Sequence, residues 1–242
     1  VSILVDAFIA WWALLNAEDL GNFRPTLASQ AMGAYRHRFM PRRIFIDANT
    51  GAQELARRAY MGGRTEAFRL GRIPGVSYCL DVNSMYPYIM ASAPSPYQLV
   101  TSRTRTTPAE VEAWLREFAV VAHVELVTDE PAYPARIERR LMFPVGRFCT
   151  YLTSHELAHA LDRGRVSAVY AAYIYERANL FEPYVAHFWT LRSRALARGD
   201  SRTAWLCKLL LNSLYGKFAQ LGAHLIPTED YMPLNEFGYS TI

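Results

Sequence analysis

Lysine is nearly missing from these 242 residues. Of 26 cationic side chains, 24 are arginine, and the two lysines, Lys208 and Lys217, stand close together. Cysteine is scarce as well. Cys79, Cys149 and Cys207 form no Cys-x-x-Cys spacing, so free thiols in an intracellular, reducing compartment, cytoplasm or host cell, are the simplest reading. No apolar run is long enough to span a bilayer. The stretch from Ile3 to Leu15 falls short of the ~20 residues required and is interrupted by Asp6, so it reads as a buried helix and no membrane partner is expected. Neither an initiator methionine nor a signal or lipidation sequence is seen, and the abrupt start at Val1 suggests a piece of a longer protein.

What is present sets wide bounds. A hydrophobic fraction of 51% supports a real core in one large or two small domains. A net charge of +4 with a pI near 9.0 permits nucleic-acid binding without demanding it.

Two stretches carry the chemistry. In Tyr78-Cys79-Leu80-Asp81-Val82-Asn83-Ser84-Met85-Tyr86-Pro87, the apolar run Val76 to Leu80 reads as a buried strand that delivers the Asp81 carboxylate at its end. Ser84 is placed to cap a following helix, and Pro87 suits a first turn. An aspartate at a strand end is most often a turn former. Here the rigid apolar approach and the ring of Tyr86 favour a metal ligand. The second stretch is Lys208-Leu209-Leu210-Leu211-Asn212-Ser213-Leu214-Tyr215-Gly216-Lys217. On a helix Lys208, Asn212 and Tyr215 share one face, presenting a cation, an amide and a ring to phosphate, base edge and sugar. An amphipathic helix with its leucines packed inward is the plainer reading. Against it, an arginine-rich chain keeps its lysines for this one motif, where a compact ammonium meets phosphate as a point charge.

The first stretch resembles motif A of family B DNA polymerases, Asp-x-x-Ser-Leu-Tyr-Pro, with Met85 in place of leucine. The second resembles their motif B, Lys-x-x-x-Asn-Ser-x-Tyr-Gly. Tyr60-Met61-Gly62-Gly63-Arg64 is similar to the Tyr-x-Gly-Gly loop that touches template in these enzymes. It lies in a basic stretch, nine arginines from Arg36 to Arg72 against Asp47, Glu54 and Glu66, which alone would be read as a solvated face. The resemblance is strongest to the protein-primed branch of phages, adenoviruses and linear plasmids. It implies an α+β fold, with a partial palm of antiparallel sheet and helices, an inserted subdomain and a helical fingers hairpin. The expected divisions are 1–45, tail of an exonuclease domain or linker; 46–91, first palm segment with template loop and motif A; 92–183, insertion; 184–220, fingers; and 221–242, the start of the remaining palm.

The implied activity is DNA-directed DNA synthesis with two Mg²⁺ ions (Mn²⁺ as a substitute), on primer-template DNA and deoxynucleoside triphosphates, with a terminal priming protein as a further partner. By resemblance Asp81 and the Val82 carbonyl bind metal, and Asp81 and Lys208 are catalytic. Val82, Tyr86, Arg194, Arg198, Lys208, Asn212 and Tyr215 hold the incoming nucleotide, Tyr86 rejecting a 2′-hydroxyl. Tyr60, Gly62, Gly63, Arg64, Ser84, Gly216 and Lys217 meet template or primer. The family's third motif, Tyr-x-Asp-Thr-Asp-Ser, has no counterpart, and Asp6, Asp47, Glu229 and Asp230 lie in unsuitable contexts for the missing carboxylates. Truncation is the expected cause, and a non-catalytic nucleic-acid-binding module is the competing reading.

The remaining chain predicts helices over 1–45 with Thr26 as a cap, a loop from Ala93 to Pro96, a capped helix from Thr107 to Phe118, and strands over Val120–Val127 and Val166–Tyr175. Pro131 to Arg140 reads as a loop. A helix from Phe181 to Arg198, the turn Gly199-Asp200 and a second helix from Arg202 form the fingers, followed by a short strand at 223–226 and a polar tail. His155-Glu156-Leu157-Ala158-His159 matches the zinc-protease pattern His-Glu-x-x-His, but Gly164 stops the helix early and no third ligand is well placed, so an accidental match is the expectation.

Overall fold

Hydrophobic periodicity along this chain switches between helical and strand spacing, and the computed structural model describes residues 2–45, 48–138 and 140–218. The expectations for 223–226, for the polar tail with Glu229 and Asp230, and for Asp47 lie outside these described residues. Helices α1 (Ser2–Ala17) and α2 (Leu27–Ala34) lead into a π-helical turn, Tyr35–Phe39, and then α3 (Thr50–Ala59) and α4 (Met85–Ser92). Next come β1 (Ser95–Thr106), α5 (Pro108–Leu115), β2 (Ala119–Thr128), the short pair β3 (Ala135–Ile137) and β4 (Arg140–Met142), and β5 (Gly146–Leu152). The order closes with α6 (Ser154–Asp162), β6 (Val166–Ala178), α7 (Glu182–Ala197), α8 (Ser201–Ser213) and a 3₁₀ turn, Tyr215–Lys217.

Two cores hold these elements. The first is helical: Leu14, Leu15 and Leu20 meet Tyr35 and Phe39, Tyr184 and Phe188 of α7, and Leu210, Leu211 and Leu214 from α8 onward. Thr26 caps α2 as expected, its hydroxyl accepting from the Ser29 N–H while the Ser29 hydroxyl serves the Thr26 backbone. Buried Gln30 fixes the turn before it by accepting from the Arg24 N–H at 2.7 Å and donating to the Leu20 and Asn22 carbonyls. Helix α1 departs from its expected burial. Its apolar residues surround the whole helix, and Trp11, Leu14 and Leu15 face the core, leaving Leu4, Phe8, Ile9 and Trp12 exposed.

The second core lies under an antiparallel sheet of order β1-β6-β2-β5. Alternation in β2 sends Val120, Val124 and Leu126 to one face, where they pack with Ile174 of β6, Leu152 of β5, Val111 of α5 and Leu157 of α6. Helix α3 lies against β2 and β5 on the other face. The β2 and β6 strands run close to their predicted limits. The others differ for identifiable reasons. Strand β1 begins inside the expected loop, and its half Thr101-Ser102-Arg103-Thr104-Arg105-Thr106 is polar because it is an edge strand paired only with β6. A β3–β4 hairpin replaces the loop expected between Pro131 and Arg140, its residues too few for periodicity to show. Helix α3 arises within the basic stretch, capped by the Asn49 side chain accepting from the Ala52 N–H.

The α5 cap supplies a pH test. Glu110 accepts hydrogen bonds from the Thr106 hydroxyl and from the Thr107 N–H and hydroxyl, and these hold its carboxyl down at about 2. A depressed carboxylate adds stability above its unfolded value of 4.5 and loses it as pH falls toward about 2. Glu110→Ala is therefore expected to lower the urea midpoint at pH 7, with the gap to the parent narrowing below pH 4.5 and closing near pH 2. A gap independent of pH would assign the loss to something other than the charged cap.

Candidate nucleotide site

Asp81 enters on backbone that is neither helix nor strand. The expected buried strand Val76–Leu80 is absent: Val76 is 81% exposed and Leu80 is 92% exposed. A strand requires neighbours for its N–H and C=O groups, and no described strand pairs with this run. Asp81 and Val82 are exposed, and α4 follows. Ser84 occupies the N-cap position, but at φ 54° it is left-handed and its side chain makes no cap bond, so the expected side-chain cap is corrected to a backbone turn. In the helix that follows, Pro87 and Met90 are buried while Tyr86 is left exposed.

Helix α8 is better determined. Gly199 takes the left-handed conformation that ends α7, and Asp200 caps α8 by accepting from the Thr203 N–H at 3.0 Å. Ala204, Cys207, Leu210 and Leu211 face the core, which leaves Lys208 and Asn212 exposed on the opposite side. Tyr215 continues that side from the 3₁₀ turn, with Gly216 exposed and Lys217 half-buried after it. The rings of Tyr86 and Tyr215 stack at 4.2 Å between centroids with planes 11° apart. Two stretches distant in sequence therefore meet face to face, which the spacing in neither one could show. Arg194 and Arg198 are exposed at the end of α7, next to the turn into α8.

Gly62 and Gly63 are exposed, and a side chain added at either would meet no atom within 4 Å. The backbone there is open to close approach. Tyr60 is 58% exposed. Arg64 differs from a free phosphate ligand: it donates to the Pro131 carbonyl at 2.7 Å, pairs with Glu66, and lies over the Phe143 ring at 4.4 Å. It fastens the loop to the segment before the β3–β4 hairpin. Sequence reasoning missed α3, whose last turn carries Arg57 and Arg58. The signal was there in Asn49 followed by buried Ala52, Leu55 and Ala59 at helical spacing.

The His-Glu-x-x-His segment forms α6, and two of its three polar residues have other duties. Glu156 accepts from the Thr153 N–H at 3.0 Å as the second half of a capping box, and His159 Nδ1 lies 2.9 Å from the Tyr133 hydroxyl. No group of three or more histidine, cysteine, aspartate or glutamate side chains is arranged for a metal among the described residues. Asp81 and the Val82 carbonyl offer hard oxygen donors on the open side of the chain. That donor chemistry fits Mg²⁺, which takes one or two carboxylates and completes its shell with phosphate and water.

With the two motifs stacked on an α+β frame, the chain belongs to the type B DNA polymerases, organellar and viral, whose family model matches residues 12–223. It is 24% identical over 205 residues to a probable DNA polymerase of Neurospora intermedia, covering 80% of this chain and 21% of that protein. Identity is 28% over 201 residues to the DNA-directed DNA polymerase of Enterobacteria phage PRD1, covering 81% of this chain and 34% of that one. The fold matches Phi29 DNA polymerase complexed with primer-template DNA at a TM-score of 0.62 and 18% identity, over 91% of this chain and 39% of that one. The chain thus spans well under half the length of these relatives.

Proposed function

We propose that this chain is the nucleotide-binding part of a protein-primed DNA-directed DNA polymerase, working inside the cell on primer-template DNA and deoxynucleoside triphosphates. The stack of Tyr86 on Tyr215 carries the reading, because it joins the Asp81 stretch to the Lys208 helix in one site. In this reading the primer 3′-oxygen attacks the α-phosphorus of the triphosphate, a new P–O bond forms, and pyrophosphate leaves. Lys208, helped by Arg194 and Arg198, neutralises the triphosphate. Asn212 and Tyr215 line the nascent base pair. Tyr60, Gly62, Gly63, Ser84, Gly216 and Lys217 follow template and primer, with Arg64 holding their loop. Mg²⁺ or Mn²⁺ on Asp81 and the Val82 carbonyl would supply charge neutralisation at the phosphoryl oxygens. The division into first palm segment, insertion and fingers, and a terminal protein as primer, belong to the same proposal. One observation favours a non-catalytic DNA-binding module instead: among the described residues Asp81 belongs to no group of three or more metal-binding side chains.

Sugar selection tests the site. Tyr86 is half exposed above the stack, where its ring would lie beneath a deoxyribose and meet a 2′-hydroxyl. In a polypeptide that contains this chain and is active, Tyr86→Val is expected to lower the deoxy-over-ribo preference at least tenfold, ~1.4 kcal/mol of differential binding. Unchanged discrimination in single-nucleotide incorporation would remove Tyr86 from that role.

A further inference from the structure

A second surface lies on the sheet face opposite the apolar core. There α3, β5 and the β3–β4 hairpin enclose an open groove of about 510 Å³, lined by Glu54, Arg57, Arg58, Tyr60, Arg136 and Tyr151, among others. Three arginines from two separate parts of the chain converge on it, against one acid. Glu54 pairs with Arg58 four residues on, which leaves Arg57 and Arg136 as the net positive charge of the groove.

The groove is organised rather than merely basic. The Arg58 guanidinium donates to the Tyr151 hydroxyl at 2.7 Å and sits 5.4 Å from the centre of that ring. Tyr151 is in turn stacked on His123 of β2, 4.4 Å away with planes 12° apart, so the sheet itself sets the position of the arginine. Arg136 donates to the Tyr60 carbonyl at 3.4 Å, tying the hairpin to the start of the glycine loop. Tyr60 keeps its ring exposed, as does Arg57 its side chain. Fixed guanidinium groups beside an available ring are the two halves of a site for unpaired nucleic acid, charge for the phosphates and a flat face for a base.

We propose that this groove binds single-stranded DNA, with Arg57 and Arg136 on phosphates, Arg58 fixed in the wall by Tyr151 and Glu54, and one base stacked on Tyr60. It shares Tyr60 with the template path of the proposed function and rests on that reading there, but does not depend on catalysis by Asp81. A strand leaving the glycine loop along α3 would be held on the inserted sheet without base selection, because every base has a π-face.

Fluorescence anisotropy with a labelled twelve-residue thymidine oligonucleotide tests this on the 242-residue chain. The paired change Arg57→Ala with Arg136→Ala is expected to weaken binding about tenfold. It should also flatten the slope of log affinity against log salt by about 1.4, since two phosphate contacts are lost at ~0.7 each. Tyr60→Ala is expected to weaken binding several-fold while leaving that slope intact, and Tyr60→Phe to restore it. Arg103→Ala with Arg116→Ala, which removes equal charge from the far edge strand and from the C-cap of α5, serves as the control. Circular dichroism confirms that each variant is folded. Equal losses in the control pair would reduce the effect to net charge and overturn the groove. So would an unchanged affinity in Arg57→Ala with Arg136→Ala, or tighter binding of the matching duplex. Any of these leaves the Tyr86 test of sugar selection standing, so the two readings fail separately.

Discussion

Primer extension by the 242-residue chain, with Mg²⁺ or with Mn²⁺, is expected to be no faster than that of its own Asp81→Ala variant. Phosphoryl transfer leaves a protein little to do beyond positioning and charge stabilisation. A pair of ions ~3.5–4 Å apart, which aligns attacking and leaving oxygens in polymerases, needs more ligands than one carboxylate and one carbonyl. Asp81 is the one carboxylate of its stretch, and no cluster of metal-binding side chains stands near it among the described residues. Lacking one of two ligating carboxylates should cost several orders of magnitude in rate. Extension clearly above the Asp81→Ala blank would show that another carboxylate, Glu229 or Asp230 being the candidates, completes the site. Under the proposed function, deoxynucleotide binding through Lys208 is expected to survive in either case, so binding and turnover are measured separately.

Tyr184→Ala is expected to be the most damaging single change to the fold, by ~3–5 kcal/mol, the range for removing a fully buried aromatic ring. The ring is 0% exposed and packs against Phe39 at 5.5 Å and Phe188 at 4.7 Å, with Tyr35 at its edge. Its hydroxyl donates to the Leu210 carbonyl at 2.9 Å, across from α7 to α8. Burial pushes the phenol above its ordinary range, so it remains a donor at all working pH values. Tyr184→Phe keeps the ring and loses that one bond, and a loss of only ~1 kcal/mol is expected. Urea denaturation of the two variants separates packing from hydrogen bonding. A small effect of Tyr184→Ala would mean that the α7–α8 hairpin is held by something other than this core, and the placement of Lys208 would need another explanation.

The helices and central strands were legible because their signals are local. Thr26 and Thr107 caps, Gly199 followed by Asp200, and the alternation through β2 each act within a few residues, and each element stands where its signal pointed. Edge strand β1 was not legible, because one-sided pairing relaxes the demand for apolar residues. The run Val76–Leu80 misled in the opposite direction. Its composition suits a strand, but composition cannot supply the neighbour that a strand must pair with. Of the site, Lys208, Asn212 and Tyr215 could be set on one helix face by spacing alone. The meeting of Tyr86 with Tyr215, and the fastening of Arg64 to Phe143 and Pro131, are tertiary contacts between distant positions, which no local pattern encodes.

The bare approach to Asp81 has a thermodynamic consequence. Residues 61–83 form no helix or strand, and their side chains belong to neither core, while Lys208 rides on a helix clamped by Tyr184 and four buried residues. Half of the proposed nucleotide site thus rests on a packed core, and half on backbone that neither core holds. Fixing each backbone residue costs about 1–2 kcal/mol of conformational entropy, and a ligand that brings Asp81 into place must supply it from its own binding energy. Under the proposed function, the lysine side is therefore expected to capture the triphosphate first, and the affinity of the carboxylate side to rise only as far as that capture, or a neighbouring strand, has already immobilised the chain.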